Sequence, residues 1–391
     1  MTYSETIEQL HGIRLFGQRL GLETMRDLCR QLGHPERQLR FLHIAGTNGK
    51  GSVAAMCHAA LTAAGYRTGL YTSPHLVSFC ERFQINQQPI AEADVVRLVA
   101  ELLPQPSATF FEVVTALALR YFAEQHVEVV VWETGLGGRL DATNVVTPLV
   151  SVITNIGFDH MQYLGDTLEQ IAGEKAGIIK PGIPVVTGVE GAALEVIRRV
   201  AAEQHAPLTV VNRADAVLTP LIGAHQVINS AIAVATLRSL NVPPNFATTR
   251  WPGRFQIVGR YVLDGAHNPA AAEQLAVTLR EQFPGKQIAL VLGVLRDKDY
   301  AAACRILAPL AGTIACARVN SERTCDPGEL AALCRAANPT AEVHAYPGVT
   351  EALAATNTEV VVITGSLFLV GEAMTLLGVS TATTPRELVL Q

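Results

Sequence analysis

The sequence lacks the features of several protein classes. Its 30 lysines and arginines are outnumbered by 35 aspartates and glutamates, and the formal net charge is −5. This balance gives no overall basic footprint for nucleic acid. No apolar run approaches the ~18 residues that span a bilayer, and residues 1–5 are polar and acidic, unlike a secretory signal. We therefore expect neither nucleic acid nor a membrane as a partner.

Cysteine is present without any pattern that would give it a role. The seven cysteines are scattered along the chain, and none forms a C-x-x-C pair. An odd number of scattered thiols favours reduced cysteines buried as small apolar residues, rather than a disulfide framework or a zinc site. This composition predicts a cytoplasmic protein.

Length and periodicity predict two α/β domains. A chain of 391 residues exceeds what one hydrophobic core usually supports. Runs of Val, Ile and Leu alternate with helix-patterned segments, which is typical of a parallel sheet buried on both faces. Prolines and polar residues interrupt this alternation at residues 241–245. We predict an N-terminal P-loop-type domain (residues 1–246), with a mostly parallel sheet and helices on both faces, and a smaller Rossmann-like domain (residues 247–391).

The segment at residues 46–52, Gly-Thr-Asn-Gly-Lys-Gly-Ser, predicts a phosphate-binding loop. It follows the apolar run at residues 41–45 and precedes a helical pattern at residues 53–64. A glycine-rich turn from strand to helix points backbone N–H groups and the positive end of the helix dipole at one place, which suits a phosphate. Lys50 would add a mobile cation, and Ser52 or Thr47 a hydroxyl near Mg²⁺. The loop departs from the common P-loop pattern, because Ile44 replaces its first glycine and Gly51 separates Lys50 from Ser52.

Polar residues follow several predicted strands, where ligands of parallel sheets gather. Glu133 ends the run at residues 127–133 and precedes a glycine-rich loop, so it could hold Mg²⁺ rather than be a solvated acid. His160 follows another run; it is either a metal ligand or a hydrogen-bonded structural histidine. Ser73, before a proline, could present its hydroxyl to a metal or form an ordinary Ser-Pro turn.

Lys175 and three residues of the second domain are further candidates. Lys175 lies in a small-residue helical segment and is either salt-bridged or, if burial lowers its pKa, carbamylated. Asp264 follows a predicted strand and could accept hydrogen bonds from ribose hydroxyls, while His267 could contact a terminal phosphate. Arg254 could neutralise a phosphate when the domains close.

Taken together, these segments resemble the Mur ligase superfamily, and most closely folylpolyglutamate synthase/dihydrofolate synthase. The resemblance implies catalytic roles for Lys50, Lys175 and His267. It implies one Mg²⁺ held by Ser73 and Glu133, and a second held by His160 and a carbamylated Lys175. It implies that ATP contacts Thr47, Asn48, Gly49, Lys50, Gly51, Ser52, Asn229, Arg254 and Asp264. The implied substrate-binding residues are Arg19, Leu20, Gly21, Leu22, Phe110, Phe111, Glu112, Leu140, Asp141, Ala142 and Ser366.

The predicted function is that of an ATP-dependent amide ligase, which adds L-glutamate to dihydropteroate or a folate through an acyl phosphate. We expect a monomer. One alternative is a Mur-type ligase acting on a different carboxylate, although the roughly 40 residues before the phosphate loop are too few for a uridine-nucleotide-binding domain. The other is a nucleotide-dependent switch, although the sequence has no Asn-Lys-x-Asp segment for reading guanine and such a switch would leave the second domain without a purpose.

Overall fold

The computed structural model describes residues 1–13, 21–102 and 108–379. The chain divides into two compact units. The first comprises residues 1–75, 79–220 and 227–249, and the second comprises residues 76–78, residues 221–226 and the chain from residue 250 onward. The domain boundary between residues 246 and 247 stays a prediction. In the described ranges, no helix has the length and apolar character needed to cross a membrane.

The first unit contains an eight-stranded sheet with the strand order β4-β3-β2-β5-β1-β6-β7-β8. Its strands are β1 (Phe41–Ala45), β2 (Thr68–Tyr71), β3 (Phe83–Ile85), β4 (Gln88–Pro89), β5 (Val129–Glu133), β6 (Val150–Ile153), β7 (Val185–Thr187) and β8 (Leu208–Val210). All neighbours pair in parallel except β3 with β2 and β4 with β3, which are antiparallel. The predicted, mostly parallel sheet is confirmed.

Helices accompany these strands in the order expected of an α/β unit. They are α1 (Tyr3–Ile13), α2 (Glu23–Gln31), α3 (Lys50–Ala63), α4 (Glu92–Leu102), α5 (Phe110–Glu124), α6 (Met161–Leu164), α7 (Leu168–Ala176), α8 (Gly191–Glu203) and α9 (His225–Arg238). The first two residues of α9 belong to the second unit. Both β1 and β5 are buried along their whole length, as continuous apolar strands covered on both faces must be. The ring of Phe41 packs edge-on against Trp132, with 5.4 Å between centroids.

Helix α3 begins earlier than the sequence pattern predicts, at Lys50 rather than at residue 53. The reason is Gly49, which caps the helix in a left-handed conformation, with φ of 82°. This conformation suits glycine and lets the helix start directly after it. Lys50, Gly51 and Ser52 therefore lie in the first helical turn.

The second unit contains a six-stranded sheet with the order β13-β12-β11-β14-β10-β9. Its strands are β9 (Gln256–Val258), β10 (Tyr261–Leu263), β11 (Ile288–Leu292), β12 (Thr313–Ala317), β13 (Glu342–Tyr346) and β14 (Val360–Thr364). Only the β9–β10 pair is antiparallel among these strands. Its helices are α10 (Pro269–Gln282), α11 (Tyr300–Leu307), α12 (Pro327–Ala337), α13 (Val349–Ala354) and α14 (Leu367–Leu376). The predicted two-domain α/β fold is confirmed.

Candidate active site

The glycine-rich loop connects the end of β1 to the start of α3 and is tightly enclosed. A Cβ atom on Gly46 would lie 1.9 Å from Oγ1 of Thr154, and one on Gly49 would lie 2.5 Å from Oδ1 of Asn229. A side chain at either position would therefore displace a neighbour. The close approach also places Asn229, a predicted nucleotide contact on α9, directly against the loop.

Residues 154–157, which follow β6, bracket this loop through hydrogen bonds. The backbone N–H of Thr47 donates to the carbonyl of Asn155 (3.0 Å), and that of Asn48 donates to Oδ1 of Asn155 (2.7 Å). The Thr154 hydroxyl donates to the carbonyl of Asn48 (2.6 Å). The Thr47 hydroxyl donates to the carbonyl of Gly157 (3.1 Å) and accepts from its N–H (3.0 Å). Thr47 thus anchors the loop to the segment that follows strand β6, a role that the sequence did not predict.

Two lysines converge on one carbonyl oxygen of the loop. Nζ of Lys50 donates to the carbonyls of Gly46 (3.0 Å) and Thr47 (3.3 Å). Nζ of Lys175, a residue only 4% exposed, donates to the same Gly46 oxygen (2.9 Å). Burial and, to a smaller extent, the charge of Lys50 lower the pKa of Lys175 to about 7, while Asp159 opposes the shift. A substantial fraction of Lys175 is therefore neutral near pH 7.

Glu133 and Ser73, predicted as metal ligands, lie together beside the loop. Glu133 is the last residue of β5, is 4% exposed and pairs in register with Ile44 of β1. The backbone N–H of Ser73 donates to Oε2 of Glu133 across a long 3.4 Å. A carboxylate and a hydroxyl supply the oxygen ligands that Mg²⁺ prefers.

Asp159 and His160 follow residues 154–157 in the sequence. His160 precedes α6 in a left-handed conformation, and its Nε2 is 3.8 Å from Oδ1 of Asp159. Over the described ranges, no group of three or more His, Cys, Asp or Glu side chains could by itself hold a metal. Any cation here would depend on other ligands, such as a hydroxyl, a modified lysine, water or substrate phosphate.

The glycine-rich loop after β5 packs against the end of α7, the helix that carries Lys175. A Cβ atom on Gly138 would lie 2.9 Å from the carbonyl oxygen of Lys175. The backbone N–H of Arg139 donates to the carbonyl of Glu174 (2.7 Å), and its side chain forms an ion pair with the Glu174 carboxylate (2.7 Å). The loop is thereby fixed to the same helix as the buried lysine.

Asp141, a predicted substrate residue in that loop, is buried and engaged by the backbone. Its Oδ2 accepts from the N–H of Leu136 (2.8 Å) and its Oδ1 from the N–H of Thr143 (3.0 Å). Burial raises the pKa of Asp141, and these hydrogen bonds oppose the shift. Leu140 and Ala142 flank it in the same loop.

The other predicted substrate residues of the first unit have varied surroundings. Arg19 and Leu20 lie outside the described residues, and Gly21 and Leu22 directly precede α2. Phe110 and Phe111 begin α5, and the ring of Phe111 lies 2.5 Å from the position that a Cβ on Gly135 would take. Oε2 of Glu112 accepts hydrogen bonds from both the N–H and the hydroxyl of Thr109, each at 2.8 Å. These bonds cap the N-terminus of α5. A substrate role for Glu112 stays a prediction.

In the second unit, Asp264 and Arg254 form a compact polar cluster. Oδ2 of Asp264 accepts from the N–H of Phe255 (2.8 Å), and Oδ1 accepts from the N–H of Ala266 (2.9 Å). Arg254 donates through Nη1 to the carbonyl of Gly253 (3.0 Å). Burial raises the pKa of Asp264, and the positive charge of Arg254 opposes that shift.

Three more residues of the second unit complete this description. Nδ1 of His267 donates to the carbonyl of Gly265 (2.8 Å). The Ser366 hydroxyl accepts from the N–H of Phe368 (3.1 Å) and caps α14. Burial lowers the pKa of His225, and Asp264 and Arg254 both act on it electrostatically. His225 precedes Asn229 by four residues and is not among the residues that the sequence predicts for the site.

Two family models match the chain. The Mur ligase middle domain matches residues 44–210, and the glutamate ligase domain of Mur ligases matches residues 253–367. The chain is 40% identical over 347 residues to the dihydrofolate synthase/folylpolyglutamate synthase of Bacillus subtilis, covering 76% of this chain and 81% of that protein.

Solved structures agree in fold. The folylpolyglutamate synthase of Mycobacterium tuberculosis, complexed with ADP and AMPPCP, is 32% identical with a TM-score of 0.85, covering 96% of this chain and 99% of that one. The bifunctional folylpolyglutamate synthase/dihydrofolate synthase of Yersinia pestis, complexed with AMPPNP and a Mn ion, is 30% identical with a TM-score of 0.85, covering 97% and 98%. The similarity extends over both units.

Proposed function

The chain belongs to the folylpolyglutamate synthase/dihydrofolate synthase family of Mur ligases, and on that premise we propose that it joins L-glutamate to the carboxylate of a pterin acid or folate. It is an ATP-dependent ligase. The observation that carries the proposal is the position of Lys50, whose Nζ donates to the Gly46 carbonyl in the first turn of α3. A cation beside a helix N-terminus and a glycine-rich loop is best balanced by the phosphates of ATP.

The reaction follows from the chemistry of a carboxylate. Its oxygen is a poor leaving group, so the substrate carboxylate first attacks the γ-phosphorus of ATP and releases ADP. The resulting acyl phosphate is attacked at carbon by the amine of L-glutamate, and the phosphate leaves with the original carboxylate oxygen. Lys50 offsets the charge on the transferring phosphoryl group. Bracketing of the loop by residues 154–157 holds its backbone in place before ATP binds.

We propose two divalent cations with distinct ligand sets. Ser73 and Glu133 would hold the first, because a buried carboxylate and a neighbouring hydroxyl suit Mg²⁺. His160 and a carbamylated Lys175 would hold the second. When bound, Mg²⁺ neutralises phosphate charge and polarises the reacting oxygens.

Carbamylation of Lys175 is supported by its surroundings. With a pKa lowered to about 7 by burial, much of its Nζ is a neutral amine. That amine can attack the carbon of CO₂, form an N–C bond and release a proton. The product is a carboxylate on a buried side chain, which reverses the sign of its interaction with a cation.

The remaining predicted residues receive roles in substrate binding. The pterin acid would lie against Leu140, Asp141 and Ala142, with Phe111 packed beside Gly135. Further proposed contacts of the pterin acid are Arg19, Leu20, Gly21, Leu22, Phe110, Glu112 and Ser366. ATP would contact residues 47–52 and Asn229, and in the second unit Arg254 and Asp264, with His267 at the terminal phosphate. Because one chain supplies all these residues and its seven cysteines are free thiols, we propose a monomer that acts in the cytoplasm.

Incubation of the full chain with ATP, Mg²⁺ and L-glutamate tests the proposal. Dihydropteroate or tetrahydrofolate is added as the acceptor, and the products are analysed by mass. The proposal expects a product that is one glutamate heavier, with one ADP released per product, and none when any component is omitted. ATP hydrolysis that is indifferent to both acceptor and glutamate would overturn it in favour of a nucleotide-dependent switch.

A further inference from the structure

A buried hydrogen-bonded chain connects the central sheet to the loop after β5. It starts at His43 of β1 and Trp132 of β5, which pair in register and lie side by side. Nε1 of Trp132 donates to the carbonyl oxygen of Thr143 (3.0 Å), and Nε2 of His43 is 3.0 Å from the hydroxyl of Thr143. All three residues are fully buried. Two neighbouring strands therefore fix both the backbone and the hydroxyl of Thr143.

The direction of each hydrogen bond follows from counting protons. The Thr143 hydroxyl donates its only proton to Oδ1 of Asp141, which also accepts from the N–H of Thr143. The hydroxyl can then only accept from His43, so Nε2 of His43 must carry the proton. Burial lowers the pKa of His43 to about 3. The ring is therefore neutral, and its second nitrogen, Nδ1, is unprotonated.

Nδ1 makes histidine unfavourable at position 43 if the side chain only fills space in the core. Within the described part of the chain, Nδ1 of His43 is buried without a hydrogen-bond partner. A buried polar atom left unpaired is destabilising, whereas an apolar side chain would fill the same space without that cost. Hence the donor at Nε2 is the feature that distinguishes histidine at this position.

The series of hydrogen bonds ends at Asp141, which holds loop residues on both sides of it. Its Oδ1 is held by Thr143, at the start of the short 3₁₀ helix Ala142–Val145, and its Oδ2 holds the N–H of Leu136. The orientation of residues 140–142 thus depends on the Thr143 hydroxyl and, through it, on His43.

We propose that His43 is a positioning residue for the pterin-acid subsite, acting through Thr143 on Asp141. The inference rests on the proposed function, which places the pterin acid against residues 140–142. His43 itself touches no reacting atom, so its loss affects binding of the acceptor and leaves the phosphoryl-transfer machinery in place.

Paired variants test this relay, the two hydrogen bonds that connect His43 through Thr143 to Asp141. Thr143→Val and His43→Leu each remove a hydrogen-bonding group of the relay. Thr143→Ser keeps the hydroxyl, and His43→Gln keeps a donor near the position of Nε2. Both hydrogen bonds, from His43 to Thr143 and from Thr143 to Asp141, support the position of the Asp141 carboxylate. We therefore expect Thr143→Val and His43→Leu to raise both KM and Kd for dihydropteroate about 10- to 100-fold. The Kd for ATP and kcat should change less than about threefold, and the conservative variants should stay near the parent.

His58 provides a matched control for damage to the core. It is 1% exposed, burial lowers its pKa to about 4, and Nε2 lies 3.2 Å from the Thr68 carbonyl. His58→Leu should lower Tm as His43→Leu does and leave Kd for dihydropteroate unchanged. Because His43 is neutral throughout, the ratio of variant to parent KM should be constant between about pH 6 and pH 9.

The outcomes separate the relay from the reaction. If the parent ligates glutamate and Thr143→Val binds dihydropteroate as the parent does, the relay is wrong and the proposed function stands. An equal loss of binding in His58→Leu would also overturn the relay, because the effect would then be general damage. If the parent binds no pterin acid, the proposed function fails, and the relay with it.

Discussion

Replacing Asn155 with alanine tests whether residues 154–157 hold the phosphate loop in place. Oδ1 of Asn155 accepts from the N–H of Asn48 at 2.7 Å, while its backbone carbonyl accepts from Thr47 at 3.0 Å. Only the first of these bonds is lost in Asn155→Ala. Since Asn155 is exposed, the substitution opens no cavity.

The size of the effect follows from one hydrogen bond. A neutral hydrogen bond contributes about 0.5–1.5 kcal/mol net. Without it, the loop is no longer held in one conformation before ATP arrives, and binding must supply that ordering. We expect Kd for ATP to rise about 3- to 10-fold and Tm to fall only slightly.

Calorimetric titration with a non-hydrolysable ATP analogue measures this change without turnover. Asn212→Ala is the matched control, because exposed Asn212 also accepts one backbone N–H, that of Ala214 at 2.8 Å. It should leave Kd unchanged. Parental affinity in Asn155→Ala, or an equal loss in Asn212→Ala, would refute the claim that the bracket preorganises the loop.

Four further predictions concern the charged groups. Lys50→Ala should lower ligation ~10²–10³-fold in a folded protein, and near-parental turnover would contradict the phosphate-loop assignment. Glu133→Gln and His160→Ala should each reduce activity and its dependence on Mg²⁺; variants that keep the parent's Mg²⁺ titration curve would show that neither residue is a ligand. Lys175→Ala should be nearly inactive and partly restored by high concentrations of formate or acetate, whereas a bare amine at Lys175 in an active, metal-bound crystal would refute carbamylation. Because the pKa of Lys175 is about 7 in the folded state and 10.5 as its ordinary value, the unfolded state binds more protons between these pH values. The free energy of unfolding of the parent, minus that of Lys175→Met, should therefore rise as the pH is raised above about 7. The rise should be at most about 1.4 kcal/mol per pH unit. Urea unfolding of both proteins in CO₂-free buffer measures this difference.

Local patterns predicted the elements well because their causes are local. The glycines at residues 46–52 predicted the turn between β1 and α3, and Gly259, with φ of 56°, lies in the turn between the antiparallel strands β9 and β10. Thr109 and Glu112 also form a local pattern, a capping box at the start of α5. The pattern gives Glu112 a structural role, whereas the family resemblance implies only a substrate role for it.

The connections between elements could not be predicted, because they depend on strand order and register. Asn155 brackets the phosphate loop only because β6 lies beside β1, and His43 reaches Thr143 only because it pairs with Trp132. Periodicity indicates that a strand is buried but not which strand is its neighbour. Likewise, residues 76–78 and 221–226 belong to the second unit although they lie far before the predicted boundary.

The central claim is that the acceptor carboxylate is activated as an acyl phosphate. It is tested most directly with dihydropteroate labelled with ¹⁸O in both carboxylate oxygens, incubated with the enzyme, ATP, Mg²⁺ and L-glutamate. Attack of the carboxylate on the γ-phosphorus, followed by departure of phosphate from the acyl carbon, transfers one oxygen to the phosphate. We predict one ¹⁸O in each inorganic phosphate formed, in step with glutamylated product. Unlabelled phosphate alongside that product, or label found in AMP, would contradict this account.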